Sequence, residues 1–248
     1  MQPTNNHHIP TKLHQIVEPS ILYFGTPVVL VSTLNPDGTT NIAPMSSAWW
    51  LGWSCVLGLD GSSRTTENLR RHGECVLNLA AADNVAAVDR LALLTGSKSV
   101  PLHKRMLGYR YAADKFAEAG LTPQLSELVQ PQRILECPVQ MEATVASIAP
   151  LGRRDSRMAV PACTIEVTIQ RIHAHGELLK NDNPHHVDPL KWRPLMMSFR
   201  RFFSLTDEIH DSRLGRGPEE TYAPWKLTGL RRHATDLLLK LANQRYDK

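Results

Sequence analysis

Pro27-Val28-Val29-Leu30-Val31-Ser32-Thr33-Leu34-Asn35-Pro36-Asp37-Gly38-Thr39-Thr40-Asn41-Ile42-Ala43-Pro44-Met45 decides how this chain folds. The residues up to Leu34 are mostly apolar and β-branched, a composition that a pleated strand accommodates and a helix resists. Asn35-Pro36-Asp37-Gly38 then supplies turn chemistry, because proline presets φ and glycine accepts left-handed backbone. The chain reverses there in a hairpin, with Thr39 to Met45 as the returning strand.

Working outward, Ala48 to Leu59 (AWWLGWSCVLGL) is apolar but lacks helical periodicity, and Gly52 and Gly58 interrupt it. It reads as one buried, bulged strand, the third of a meander. Thr65 to His72 is short and polar, with Gly73 placed to stop a two-turn helix, and Glu74 to Leu79 follows as a strand. Asp83 is expected to cap a helix running to about Leu94, and Lys104 to Glu118 gives a further helical stretch stopped by Gly120. Strand character returns at Arg133 to Ile148, where Val139, Met141, Ala143 and Val145 share one face, and at Ala162 to His173. Gly152-Arg153-Arg154-Asp155 is the turn between them. Six or so strands, ordered as meander, helices and long hairpin, imply a closed or nearly closed antiparallel barrel. Beyond Leu178 periodicity fades, and only Thr235 to Asn243 promises a helix.

Bulk properties narrow the function. The 248 residues suit one barrel domain with decorating helices, and 42% hydrophobic with 21% charged residues is ordinary globular usage. Met1 to His14 lacks the apolar stretch of a signal peptide and no run is long enough to span a membrane, so a cytoplasmic protein is expected. Cys55, Cys75, Cys137 and Cys163 lie singly, without a C-x-x-C pair, as buried thiols in a reducing compartment. The net charge of +4 comes from the tail, where Lys191 to Lys248 hold twelve Lys/Arg against seven Asp/Glu. A basic tail without zinc-finger or RRM signatures argues against nucleic-acid binding.

Rossmann, P-loop, zinc-protease and nucleophile-elbow motifs are absent. Two segments remain. Ser62-Ser63-Arg64-Thr65-Thr66-Glu67-Asn68 joins a buried strand to a helix start, where hydroxyls, a guanidinium and free amides suit a phosphate. The plainer reading is that Ser63 or Thr65 caps the helix and Arg64 pairs with a surface acid. Asn41-Ile42-Ala43-Pro44-Met45-Ser46-Ser47 is a strand broken by proline, leaving backbone groups free for a planar heterocycle, or else simply a barrel corner. Among eleven histidines, His173-Ala174-His175 and His185-His186-x-Asp188 have ligand-like spacing, but no third ligand accompanies either, so no metal site is expected. Trp49, Trp50 and Trp53 read as core or interface aromatics.

Asp37-Gly38, then N-x-A-P-x-S at Asn41 to Ser46, R-x-T-x-N at Arg64 to Asn68, one residue shorter than the family's R/K-x-T-x-x-N, and G-E-x-V-x-N at Gly73 to Asn78 resemble, in order and, that residue aside, in spacing, the flavin reductase-like family of FMN-binding split barrels. The likeness continues at Phe116 to Thr122, at Leu135 to Val139 with Glu142, and at Ile172 to Glu177, covering roughly Leu22 to Leu179 and more faintly Pro189 to Leu195.

The resemblance implies a mainly β, antiparallel, Greek-key type split barrel with a few helices. It would comprise an N-terminal arm (1–20), a flavin reductase-like domain (21–204) and a C-terminal extension (205–248). It implies that the backbone of Ala43, Pro44, Met45, Ser46 and Ser47 holds the isoalloxazine edge and that Ser62, Ser63, Arg64, Thr66 and Asn68 hold the ribityl phosphate. Thr65 stands where many members carry a charged residue. His173 and His175 are substrate-side candidates, because related barrels place a histidine of the last strand near the flavin. The expected activity is an NAD(P)H-dependent flavin reductase with FMN or FAD and with NADH or NADPH as donor. A homodimer with flavin near its interface, serving a partner monooxygenase, goes with it. An FMN-bound electron carrier or sensor, or a flavoenzyme acting on another organic substrate, are the alternatives. Hydride transfer to flavin needs alignment more than a side-chain acid, so no catalytic side chain is assigned.

Overall fold

The computed structural model describes residues 14–158, 161–210 and 212–213. Its strands and helices in chain order are β1 (Thr26–Pro27), β2 (Val29–Leu34), β3 (Thr40–Met45), β4 (Ala48–Leu51), β5 (Ser54–Asp60), α1 (Arg64–His72), β6 (Glu74–Leu79) and α2 (Val85–Leu91). There follow β7 (Leu94–Thr95), α3 (Leu102–Met106), β8 (Arg110–Tyr111), α4 (Lys115–Ala119), β9 (Pro123–Gln124), β10 (Arg133–Ile134), β11 (Val139–Leu151), β12 (Ala162–Ala174), β13 (Leu195–Ser198) and β14 (Arg201–Ser204).

Seven strands pair antiparallel in the order β3-β2-β6-β11-β12-β5-β4. The two end strands, β3 and β4, are consecutive in the chain and joined through Ser46 and Ser47, so the sheet curls into a split barrel. Its inside is packed by Val29, Val31, Cys55, Leu57, Leu77, Ile165 and Val167. Leu30 and Ile42 face outward into a second core with Val88, Leu91, Phe116 and Ala119 from α2 and α4. Both faces of β2 are therefore buried, which explains why Pro27 to Leu34 is continuously apolar rather than alternating. At its end Gly38 adopts φ 83°, and Asp37 accepts hydrogen bonds from the backbone and hydroxyl of Thr39 at 3.1 and 2.6 Å.

Several sequence expectations are corrected. Ala48 to Leu59 is two strands, because Gly52 at φ 59° closes a tight hairpin that pairs Leu51 with Ser54. No meander forms, since β3 and β4 lie at opposite ends of the strand order and β6 takes the place beside β2. Asp83 caps nothing; it lies in a 3-10 turn (Ala82–Asn84), and Asn84 accepts the Ala81 N–H at 2.9 Å instead. The helix after it ends at Leu91. Lys104 to Glu118 is broken at Gly108, φ 85°, into α3, the short β8 and α4, which Asp114 caps and Gly120 stops. Past Leu178 the chain is not featureless, because β13 pairs with both β1 and β14 to form a second, three-stranded sheet. Thr235 to Asn243 lies outside the described residues.

All four cysteines are free and buried. Burial raises the Cys55 thiol to about 12 and pushes Cys75 and Cys137 higher still, so these are inert packing groups. No helix among the described residues is long and apolar enough to cross a membrane.

Candidate flavin cleft

A cleft of about 670 Å³ opens where β3 crosses to β4 and β5 runs into α1, with Gly96, Lys104, Lys115, Arg200 and Phe202 completing its walls. The size suits a small-molecule cofactor. β3 carries Pro44 because it is an edge strand, where the missing N–H leaves no gap in a ladder. Ser47 follows, its carbonyl accepting from Gly58 N–H at 2.8 Å and its hydroxyl meeting that of Tyr23 at 3.4 Å. A side chain at Gly58 would press on the Ser47 Cβ, at 3.2 Å, so glycine there lets the joint lie close on β5.

The other wall is set by Asp60 at the end of β5. One of its oxygens accepts from the backbone and hydroxyl of Ser62 at 2.8 and 2.7 Å, and the other meets Lys104 Nζ at 3.0 Å. Desolvation raises its pKa, but the Ser62 hydrogen bonds and Lys104 outweigh it, and the carboxyl lies below its usual range. Ser63 caps α1 by accepting the Thr66 N–H at 3.1 Å. Arg64 reaches back, its Nε donating to Gly96 O at 3.3 Å while its outer nitrogen pairs with Glu67 at 2.7 Å.

A buried polar network ties the two walls. Asn41 Nδ2 donates to Thr65 Oγ1 at 3.2 Å, and Asn68 Nδ2 donates to Thr33 Oγ1 at 3.1 Å and Asn35 Oδ1 at 3.0 Å. Asn41 Oδ1, buried on the cleft wall, has no hydrogen-bond partner. A Cβ at Gly96 would stand 2.4 Å from that oxygen, so this glycine keeps the cradle open over Asn41 and Arg64.

Of the residues singled out in the sequence, Ala43, Pro44, Met45, Ser46, Ser47, Ser63, Arg64 and Thr65 line the cleft. Ser62, Thr66 and Asn68 are not among the residues that line it; Thr66 and Asn68 are buried and Ser62 is half-buried. Thr66 Oγ1 donates to Asp60 O at 2.8 Å, Ser62 braces Asp60, and Asn68 holds the β2 turn. The capping role of Ser63 and the surface pair of Arg64 both exist, and both groups still border the cleft. His173 and His175 lie at the other end of β12 from Ala162, which pairs with Asp60. They are absent from the cleft wall: His173 Nε2 bonds Glu142 at 2.7 Å and His175 faces Glu177 at 3.8 Å. No three metal-ligating side chains converge among the described residues.

Sequence reasoning missed Lys104, Lys115 and Arg200 on the cleft wall and the unpartnered Oδ1 of Asn41. Asn41 was legible from its place in N-x-A-P-x-S. The basic residues reach the cleft only through packing of distant segments, and nothing local marks them. A larger hollow of about 770 Å³ lies between Gly61 and the β11–β12 turn, but no buried unpartnered polar group lines it among the described residues.

The cleft of this split barrel is framed by an edge-strand segment and a capped helix start, with four basic side chains against two acidic ones on its walls. Residues 21–206 match the flavin reductase like domain, and the chain belongs to that family. It is 41% identical over 199 residues to the Bacillus subtilis (strain 168) protein named "Uncharacterized protein YdfE", covering 80% of this chain and 93% of that one. Among solved structures it resembles flavoredoxin of Desulfovibrio vulgaris (Miyazaki F), with a TM-score of 0.65, 18% identity, and 81% and 98% of the two chains covered. Nitrilotriacetate monooxygenase component B from Bacillus cereus superposes with a TM-score of 0.61 at 17% identity, covering 75% and 88%. These structural likenesses establish the antiparallel split-barrel fold.

Proposed function

We propose that the cleft binds FMN and that the protein is an NAD(P)H-dependent flavin reductase. The observation that carries this reading is the pairing of a cation-rich wall with an orphaned buried acceptor: Arg64, Lys104, Lys115 and Arg200 stand against Asp60 and Asp89, and Asn41 Oδ1 awaits a donor. A ligand that is anionic at one end and carries hydroxyl or imide donors satisfies both, and a ribityl phosphate with an isoalloxazine ring is such a ligand.

In this reading Arg64 and Lys104 hold the phosphate, and Asn41 accepts from the ribityl chain or ring. The Ala43 to Ser47 backbone aligns the ring edge. Bound flavin supplies a two-electron acceptor for a nicotinamide donor. The chain's own groups would bind, orient and stabilise negative charge, the last task falling to the Ser46 and Ser47 amides in this reading. No general acid is required.

We further propose a homodimer through the edge strand β4, where Trp49 and Leu51 are 57% and 76% exposed beside exposed Trp53. The likeness to a monooxygenase component suggests a partner monooxygenase that consumes the reduced flavin. Four buried free thiols suit a cytoplasmic setting.

The test is titration of the purified protein with FMN, FAD and riboflavin, followed by NADH and NADPH oxidation with each flavin. Tight FMN binding and flavin-dependent oxidation of either nicotinamide are expected. Binding without nicotinamide turnover would make the protein an electron carrier, sensor or enzyme for another organic substrate, and no flavin binding at all would sink the reading.

A further inference from the structure

Lys115 is the first residue of α4, yet its side chain is only 3% exposed and its amine donates to Ile42 O at 2.7 Å. That carbonyl lies immediately before Ala43, where β3 begins to line the cleft, and Lys115 lines it too. A buried ammonium is costly without an anionic partner, and no ion pair joins Lys115 to a carboxylate among the described residues.

The charges around it explain why. Asp60 is already paired with Lys104 and approached by His103 at 3.7 Å. Arg64 is paired with Glu67, Asp114 caps α4 through the Ala117 N–H, and Glu118 is held by Arg110. The remaining titratable or charged groups of the cleft are Asp89 of α2, Tyr109 before β8, Tyr23 ahead of β1 and Arg200 between β13 and β14. Burial, reinforced by the Lys104 charge, pushes the Lys115 amine down to about 7. Near neutral pH it is thus poised between its two states.

We propose that Lys115 is a ligand-binding residue of the cleft that takes up a proton as an anionic, phosphate-bearing flavin enters, so that occupancy and protonation are coupled. This rests on the reading of the cleft as a flavin site. Ligand charge supplies the counter-ion the protein lacks, and by linkage each event favours the other. The proton comes from solvent, so affinity for such a ligand falls as pH rises through neutrality.

The experiment is calorimetric titration with FMN at about pH 7.5 in two buffers of different ionisation enthalpy, which reads protons exchanged directly. Wild type is expected to take up about half a proton or more per FMN bound. The phosphate group would give the opposite sign, since cations strip its residual proton. Lys115→Arg, whose guanidinium stays charged, should bind FMN with uptake near zero. Lys115→Met should lose both uptake and at least tenfold in affinity. Riboflavin, lacking the phosphate, should draw clearly less uptake in wild type. Wild-type binding without uptake, uptake that persists in Lys115→Arg, or equal uptake with riboflavin overturns the inference while leaving the flavin site intact. Failure of wild type to bind FMN overturns both.

Discussion

Asn41 Nδ2 donates to Thr65 Oγ1 across 3.2 Å, joining the edge strand to the first turn of α1. Two segments that are far apart in sequence thereby form one rigid wall. The same Asn41, a residue of the cleft wall, leaves Oδ1 buried and unpartnered. Asn41→Leu should therefore raise the FMN dissociation constant at least tenfold and cost about 1–2 kcal/mol of stability, because Thr65 and Thr33 lose a buried partner. Thr65→Val should cost a similar amount of stability. A double-mutant cycle by urea denaturation should return a coupling of about 0.5 kcal/mol or more, and strict additivity would show that the bond does not join the walls.

Arg64 and Thr66 look equivalent in the sequence and are not equivalent in the fold. Arg64 borders the cleft, whereas fully buried Thr66 donates to the Asp60 carbonyl. Arg64→Ala should weaken FMN roughly tenfold while changing riboflavin affinity little, since a charge-assisted contact to phosphate is what it removes. Thr66→Ala should lower stability by about 1 kcal/mol with a smaller effect on binding. Fluorescence titrations with both flavins, set beside denaturation midpoints, separate these outcomes; the reverse pattern would put Thr66 at the phosphate.

The contrast shows what a single chain discloses. The β2–β3 hairpin, the α1 cap and its Gly73 stop, and the long β11–β12 hairpin were readable because each depends on residues within a few positions. The strand order was not, because β6 enters beside β2 from beyond a helix and no local signal says so. Val139, Met141, Ala143 and Val145 were rightly placed on one face of β11. The opposite face carries Glu142, which alternation alone does not explain and which is fully buried by a loop from Glu127 to Val129. His173, expected near substrate, is the partner of that carboxylate.

Glu142 gives a pH prediction. Its carboxylate accepts from the backbone N–H groups of Glu127, Leu128 and Val129 and from His173 Nε2. Desolvation raises its pKa, but these hydrogen bonds outweigh it and the net shift is downward from 4.5. A carboxyl with a depressed folded pKa adds stability that is complete above its unfolded value and is lost as pH falls through the folded one. Glu142→Gln should cost about 2–4 kcal/mol at neutral pH, since an amide cannot accept all four bonds. Below about pH 4 the gap between wild type and variant should narrow. Urea midpoints at both pH values check this, and a gap independent of pH would mean the charge contributes nothing.

The turn between β13 and β14 is built against local preference. Phe199 and Arg200 have φ 46° and 64°, the two left-handed positions of a tight hairpin that Asn-Gly fills without strain. What holds Phe199 there is its N–H to Tyr23 O at 2.8 Å and its ring edge-on to Phe24 at 4.7 Å. Nothing of that kind explains Arg200, whose side chain lines the cleft. Strain of about 1 kcal/mol retained at a cleft-lining residue is the pattern of a functional position. Arg200→Gly should raise stability by about 1 kcal/mol, measured by denaturant midpoint, and weaken binding of FMN or of the nicotinamide donor several-fold. Arg200→Ala separates the two effects: it removes the guanidinium but keeps the left-handed strain, so binding should fall without a gain in stability. If Arg200→Gly stabilises and both variants bind and turn over like wild type, the turn serves only to close β13 onto β14.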